Sequence, residues 1–99
     1  MRIDVLTLFP AMLDGFLSES MMGRAQEAKL LDIKIHNLRD WARDKHSTTD
    51  DRPFGGGPGM VMMIDPLRAC LAAARAADPA PARVVYLSPQ GRPLTQAKV

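Results

Sequence analysis

The sequence predicts an α/β fold, a parallel sheet flanked by helices. Short apolar, β-rich runs at 2–8, 31–36 and 84–87 read as strands, and the segments between them are helical in periodicity. The order strand, helices, strand is the rhythm of a right-handed parallel crossover. Ninety-nine residues allow one domain with a modest core.

Arg2-Ile3-Asp4-Val5-Leu6-Thr7-Leu8 is rich in β-formers and becomes apolar on both faces toward its end, which predicts a buried strand. Phe9-Pro10 stops it, and Pro10 suits the first turn of a short helix running through Phe16. A second helix is expected from Ser18 or Ser20, with Met21, Met22, Ala25 and Ala28 on its apolar side. Leu31, Ile33 and Ile35 then alternate with Asp32, Lys34 and His36, the pattern of a strand with one wetter face. A helical turn is expected at 38–42, followed by an exposed, charged loop around Trp41 that reaches Asp51. Asp65-Pro66 predicts an N-cap and a first-turn proline for a helix carrying Leu67, Cys70, Leu71 and Ala74 on one face. Asp78-Pro79-Ala80-Pro81 ends that helix, and Val84-Val85-Tyr86-Leu87 predicts a third apolar strand closed by Ser88-Pro89-Gln90-Gly91. Residues 93–99 read as the first turn of a further helix. One turn is unstable alone, and two or three strands leave apolar faces uncovered, so the domain is expected to be incomplete at Val99.

The densest signal lies between the charged loop and the last long helix, in Asp50-Asp51-Arg52-Pro53-Phe54-Gly55-Gly56-Gly57-Pro58-Gly59-Met60. Four of the seven glycines fall here, where each costs conformational entropy on folding. Such a cluster predicts positive φ angles or a backbone lying against a ligand, and Pro53 and Pro58 stiffen it. No Gly-Lys-Ser/Thr follows, so it is no P-loop, and its spacing is not that of a dinucleotide fingerprint. Spacing alone leaves a tight structural turn and a ligand- or RNA-facing loop both open.

The other candidates are weaker. A loop after an apolar strand, as at 88–91, can line a small-molecule pocket or simply connect strand to helix. Arg39, Arg43, Lys45, His46 and Arg52 can meet phosphates with Trp41 stacking, yet Asp40, Asp44, Asp50 and Asp51 neutralise most of that charge. Net charge is +2 and the pI about 9.0, which permits a nucleic-acid partner without requiring one. His36 and His46 are not at ligand spacing and no Cys/His cluster exists, so no metal site is expected. Cys70 and the run Met60-Val61-Met62-Met63 read as packing. The single cysteine, the acidic residue at position 4 and the lack of any membrane-length apolar run point to a cytoplasmic protein.

Several of these segments together resemble one family. They are Leu8-Phe9-Pro10, Gly23-Arg24-Ala25, His46 followed by the stretch from Thr49 to Met60, and Tyr86-Leu87-Ser88-Pro89-Gln90-Gly91. In that order they are similar to the N-terminal part of the bacterial tRNA (guanine-N1)-methyltransferases, with Phe54 at a position where tyrosine is frequent. The resemblance implies a SPOUT-type α/β fold with a trefoil knot, of which 1–99 is an incomplete N-terminal portion ending before the knot. It implies S-adenosylmethionine as methyl donor, the anticodon loop of tRNA as partner, a homodimer, and methylation of the guanosine 3′-adjacent to the anticodon. Tyr86, Leu87, Ser88, Pro89, Gln90 and Gly91 match its cofactor loop. Asp50 and Gly59 match positions that face the tRNA base preceding the target, with His46, Arg52 and Pro58 beside them. Methylation at N1 displaces a proton and needs a general base. The resemblance puts that base, an aspartate, outside these residues, so no catalytic residue is assigned within them and the 99 residues alone are expected to be inactive. A non-catalytic RNA-binding or dimerisation module, or a nucleotide-binding fragment using the glycine loop, are the rival readings.

Overall fold

The computed structural model describes residues 1–99. Strand β1 (Arg2–Thr7) pairs in parallel with β2 (Asp32–Asn37), in register from Arg2↔Asp32 to Thr7↔Asn37. Because side chains alternate, Arg2, Asp4 and Leu6 share a face with Asp32, Lys34 and His36, while Ile3 and Val5 share the other with Ile33 and Ile35. The parallel crossover read from the sequence is therefore present, including the wetter face of β2.

That wetter face is held by ions. The Arg2 guanidinium grips Asp4 in a fork, Nε to Oδ2 and Nη2 to Oδ1, both at 3.0 Å, and His36 Nε2 lies 2.8 Å from Asp4 Oδ1. The Arg2 hydrogen bond, helped by His36 and opposed by burial, holds the Asp4 carboxyl below the usual carboxylate range. Arg2 Nη1 also donates to the Ala77 carbonyl at 3.4 Å, tying the start of β1 to the carboxyl end of the last long helix.

The crossover runs through α1 (Ala11–Ser18) and α2 (Ser20–Glu27). Thr7 Oγ1 accepts the Phe9 N–H at 3.1 Å and turns the chain out of β1. Extended Glu19 breaks the helices apart, yet they stay in contact: Gln26 Nε2 donates to the Leu17 carbonyl left orphaned at the end of α1. At this junction Gly23 is required, since a Cβ there would run into the Ser18 carbonyl. After α2 the chain closes a Schellman motif, with Leu30 N–H donating to Ala25 O and Lys29 N–H to Gln26 O, both at 2.9 Å. Lys29 takes the left-handed position, φ 57°, that glycine commonly fills.

A 3-10 turn at Leu38–Trp41 follows β2, opened by Asn37, whose side chain accepts the Arg39 N–H at 3.1 Å. Leu38 is buried and packs on α3 (Ile64–Ala77), whose buried residues are Pro66, Cys70 and Ala74. Cys70 is core, as its helical position predicts. Burial, with the Asp4 and Asp40 carboxylates, pushes its thiol up, so it stays protonated and unreactive. The N-cap of α3 is Met63, not Asp65; Asp65 and Pro66 lie inside the first turn. An acid there favours the helix dipole, and a proline there loses no intrahelical hydrogen bond.

Besides the cap of α3, and the burial expected of β1, none of whose residues is fully buried, three further expectations fail. Residues 84–87 form no strand: their backbones join no ladder and all four side chains are exposed. β-propensity describes fit to a pleated neighbour, and no strand edge lies beside them. Met60 and Met62 do not pack but are exposed, on a short hairpin that the sequence did not reveal. The final residues form a 3-10 turn at Gln96–Lys98 in place of an α-helical one.

Candidate nucleic-acid interface

The hairpin pairs β3 (Asp50–Asp51) with β4 (Val61–Met62) in antiparallel register, Asp50↔Met62 and Asp51↔Val61. The Met63 N–H, donating to the Thr49 carbonyl at 2.8 Å, extends the pairing to the root. Two such residues a side make a marginal ladder, so the intervening loop 52–60 must hold its own shape. It does so with backbone angles: φ is +83° at Gly55, +85° at Gly56, +115° at Gly57 and +89° at Gly59. No atom lies within 4 Å of where their Cβ atoms would be, so these glycines are needed for conformation and not for crowding. Gly56 N–H donates to the Pro53 carbonyl at 3.0 Å, closing a turn over Phe54 and Gly55. The result is an open stretch of bare backbone presented to solvent.

The loop leading in is organised by Asp44. Its carboxylate accepts the Thr48 N–H at 2.7 Å and the Thr48 hydroxyl, and these bonds, the hydroxyl first, lower its pKa. Asp44 is thus a structural acceptor, a role signalled only by the Asp-x-x-x-Thr spacing. Thr49 is buried with its hydroxyl unpartnered, while His46 stands exposed on the turn. Asp51 Oδ1 accepts the Arg52 N–H at 2.7 Å, which fixes the backbone entering the glycines; the Arg52 side chain forms no ion pair. At the foot of the hairpin a cavity of about 330 Å³ is lined by Trp41, Arg43, Asp44, Thr48, Met63, Asp65 and Pro66. No spacing in the sequence links Met63 and Asp65 to Trp41.

His46, Asp50, Arg52, Pro58 and Gly59 all belong to this hairpin and its leading loop, Asp50 on the outgoing strand and Pro58–Gly59 on the returning limb. The second predicted group, Tyr86, Leu87, Ser88, Pro89, Gln90 and Gly91, lies apart in the C-terminal segment, with no hydrogen bond to the hairpin. Its loop is a turn: Gly91 N–H donates to the Ser88 carbonyl at 2.9 Å and Gln90 N–H to Ser88 Oγ at 3.2 Å. The backbone groups of Tyr86 and Leu87 are free of intramolecular partners. No cluster of three or more His, Cys, Asp or Glu residues could hold a metal ion, and no helix is long and apolar enough to cross a membrane.

A parallel α/β crossover that carries an open glycine hairpin between acidic and basic side chains defines a protein of the α/β class. The chain belongs to the tRNA (Guanine-1)-methyltransferase TrmD family, whose sequence model matches residues 1–99. It is 60% identical over 99 residues to a tRNA (guanine-N(1)-)-methyltransferase of Stenotrophomonas maltophilia (strain K279a), covering 100% of this chain and 39% of that protein. The like-named protein of Xanthomonas campestris pv. campestris (strain B100) is 60% identical over 96 residues, 97% of this chain and 38% of its own length. The chain therefore spans about two-fifths of the length of these relatives. In fold it is similar to the crystal structure of tRNA (m1G37) methyltransferase from Aquifex aeolicus, with a TM-score of 0.72 at 24% identity over 79% of this chain and 35% of that one.

Proposed function

We propose that these residues are the N-terminal portion of a methyltransferase that moves a methyl group from S-adenosylmethionine to N1 of the guanosine 3′-adjacent to the tRNA anticodon. The observation that carries this reading is the glycine hairpin in a chain of this family: its positive-φ backbone and the carboxylate of Asp50 form a surface suited to a base edge. Guanine offers donors at N1 and N2. On a guanine preceding the target, Asp50 accepts from such an edge, the Pro58–Gly59 backbone approaches it closely, and Arg52 and His46 meet neighbouring phosphates.

The loop 86–91 suits an adenosine. Its unpaired backbone groups can hydrogen-bond an adenine edge, and exposed Tyr86 and Leu87 offer an apolar wall. The bound donor supplies an electrophilic methyl group. Attack by N1 requires loss of its proton to a base. Asp44 is committed to Thr48 and Asp4 to Arg2; the family resemblance puts the base outside these residues, and the 99 residues alone are expected to be inactive. The full-length protein acts as a cytoplasmic homodimer.

The test is labelled-methyl transfer from S-adenosylmethionine by the full-length gene product, on tRNA transcripts carrying guanosine or adenosine 3′ of the anticodon. Incorporation with guanosine only is expected. A folded protein that labels neither transcript would refute the reading and favour a binding module.

A further inference from the structure

The hairpin loop carries one aromatic side chain, Phe54. Phe54 is 109% exposed, so no atom of the protein covers its ring. Exposure of a lone apolar side chain is ordinary, but the way this one is mounted is not. Phe54 occupies the first central position of the turn that Gly56 N–H closes onto the Pro53 carbonyl at 3.0 Å, and Gly55 follows it at φ +83°. Positive φ at the second central position is the signature of a type II turn. Proline before it and glycines after it hold the backbone. The bare glycines, with nothing within 4 Å of their Cβ positions, leave the approach to the ring open. It is the only aromatic side chain in residues 50–62, and the unpaired guanidinium of Arg52 lies two residues away.

We infer that Phe54 is a stacking platform for an unstacked nucleobase of the bound RNA loop, with Arg52 taking an adjacent phosphate. The inference rests on the RNA-facing reading of the hairpin given above. Single-stranded RNA loops are held by splayed bases stacked on aromatic rings, and such stacking tolerates any base because every base has a π face. Phe54 therefore contributes to RNA affinity and not to the choice of guanine. It positions the loop and takes no part in the methyl transfer.

The test uses the full-length gene product and tRNA carrying 2-aminopurine, in separate transcripts, at each position flanking the target guanosine. With wild type, bound RNA should show quenched fluorescence at one of these positions. Phe54→Ala should abolish that quenching and raise the KM for tRNA about 10-fold, with kcat and the preference for guanosine unchanged. Phe54→Trp and Phe54→Tyr should keep KM within about 2-fold and retain the quenching, whereas Phe54→Leu, apolar but not aromatic, should behave as Phe54→Ala. Unchanged KM and quenching in Phe54→Ala, beside a wild type that binds and methylates, would overturn this inference alone. Wild type that binds no tRNA would overturn it together with the proposed function.

Discussion

The hairpin at 50–62 and the loop at 86–91 are both proposed to meet ligands, yet they are built in opposite ways. The hairpin carries its own ladder, a closing turn and four positive-φ glycines, so its shape is written into local sequence. The loop at 86–91 has a turn but follows an apolar segment that pairs with nothing. Local chemistry can fix a turn, whereas a strand needs an edge supplied from elsewhere in the chain.

The most disruptive way to probe that difference is at the glycines. Gly56→Val forces a β-branched residue to φ +85° in a loop remote from the core. It should lower kcat/KM for tRNA about 10- to 100-fold, with the melting temperature nearly unchanged. The same substitution at Gly91, which the structure does not place at positive φ, should act less through backbone strain. Gly23→Ala sets the converse case, a glycine needed for space. Its Cβ meets the Ser18 carbonyl, so it should destabilise the fold by about 1–3 kcal/mol, read by denaturant unfolding, with little specific loss of tRNA binding.

The ion cluster on the sheet gives a smaller, pH-dependent effect. Because the folded Asp4 pKa lies below its unfolded value, its contribution to stability is full above about pH 5 and is lost as pH falls through the folded value. Asp4→Asn should cost about 1 kcal/mol at neutral pH and flatten the acid limb of the stability profile. An acid limb identical to wild type would contradict the role of the Arg2–Asp4–His36 cluster. Smallest of all, Lys29→Gly relieves the left-handed strain behind α2 and should stabilise by up to about 1 kcal/mol in chemical melts.

What could be read in advance follows the same division. The parallel pair, both helices of the crossover and the buried face of α3 were legible, because each is marked by periodicity and by punctuation such as Pro10 and Asp78-Pro79. The positive φ of the glycine loop was legible from composition. The hairpin around it was not: Asp50-Asp51 is a poor strand sequence, and Val61-Met62 is too short to show alternation. Val84-Val85-Tyr86-Leu87 misled in the other direction, since its β-propensity says nothing about whether an edge is at hand. The links made by Asp44 to Thr48 and by Arg2 to Ala77 depend on three-dimensional reach and left little trace in spacing.

The most direct measurement is amide hydrogen exchange on the full-length gene product, alone, with tRNA and with S-adenosylmethionine. The expected result is that tRNA slows exchange across 52–60, while the methyl donor slows it at 86–91 and leaves the hairpin unchanged. Protection of 86–91 by tRNA with none in the hairpin would contradict the assignment of the glycine hairpin to RNA.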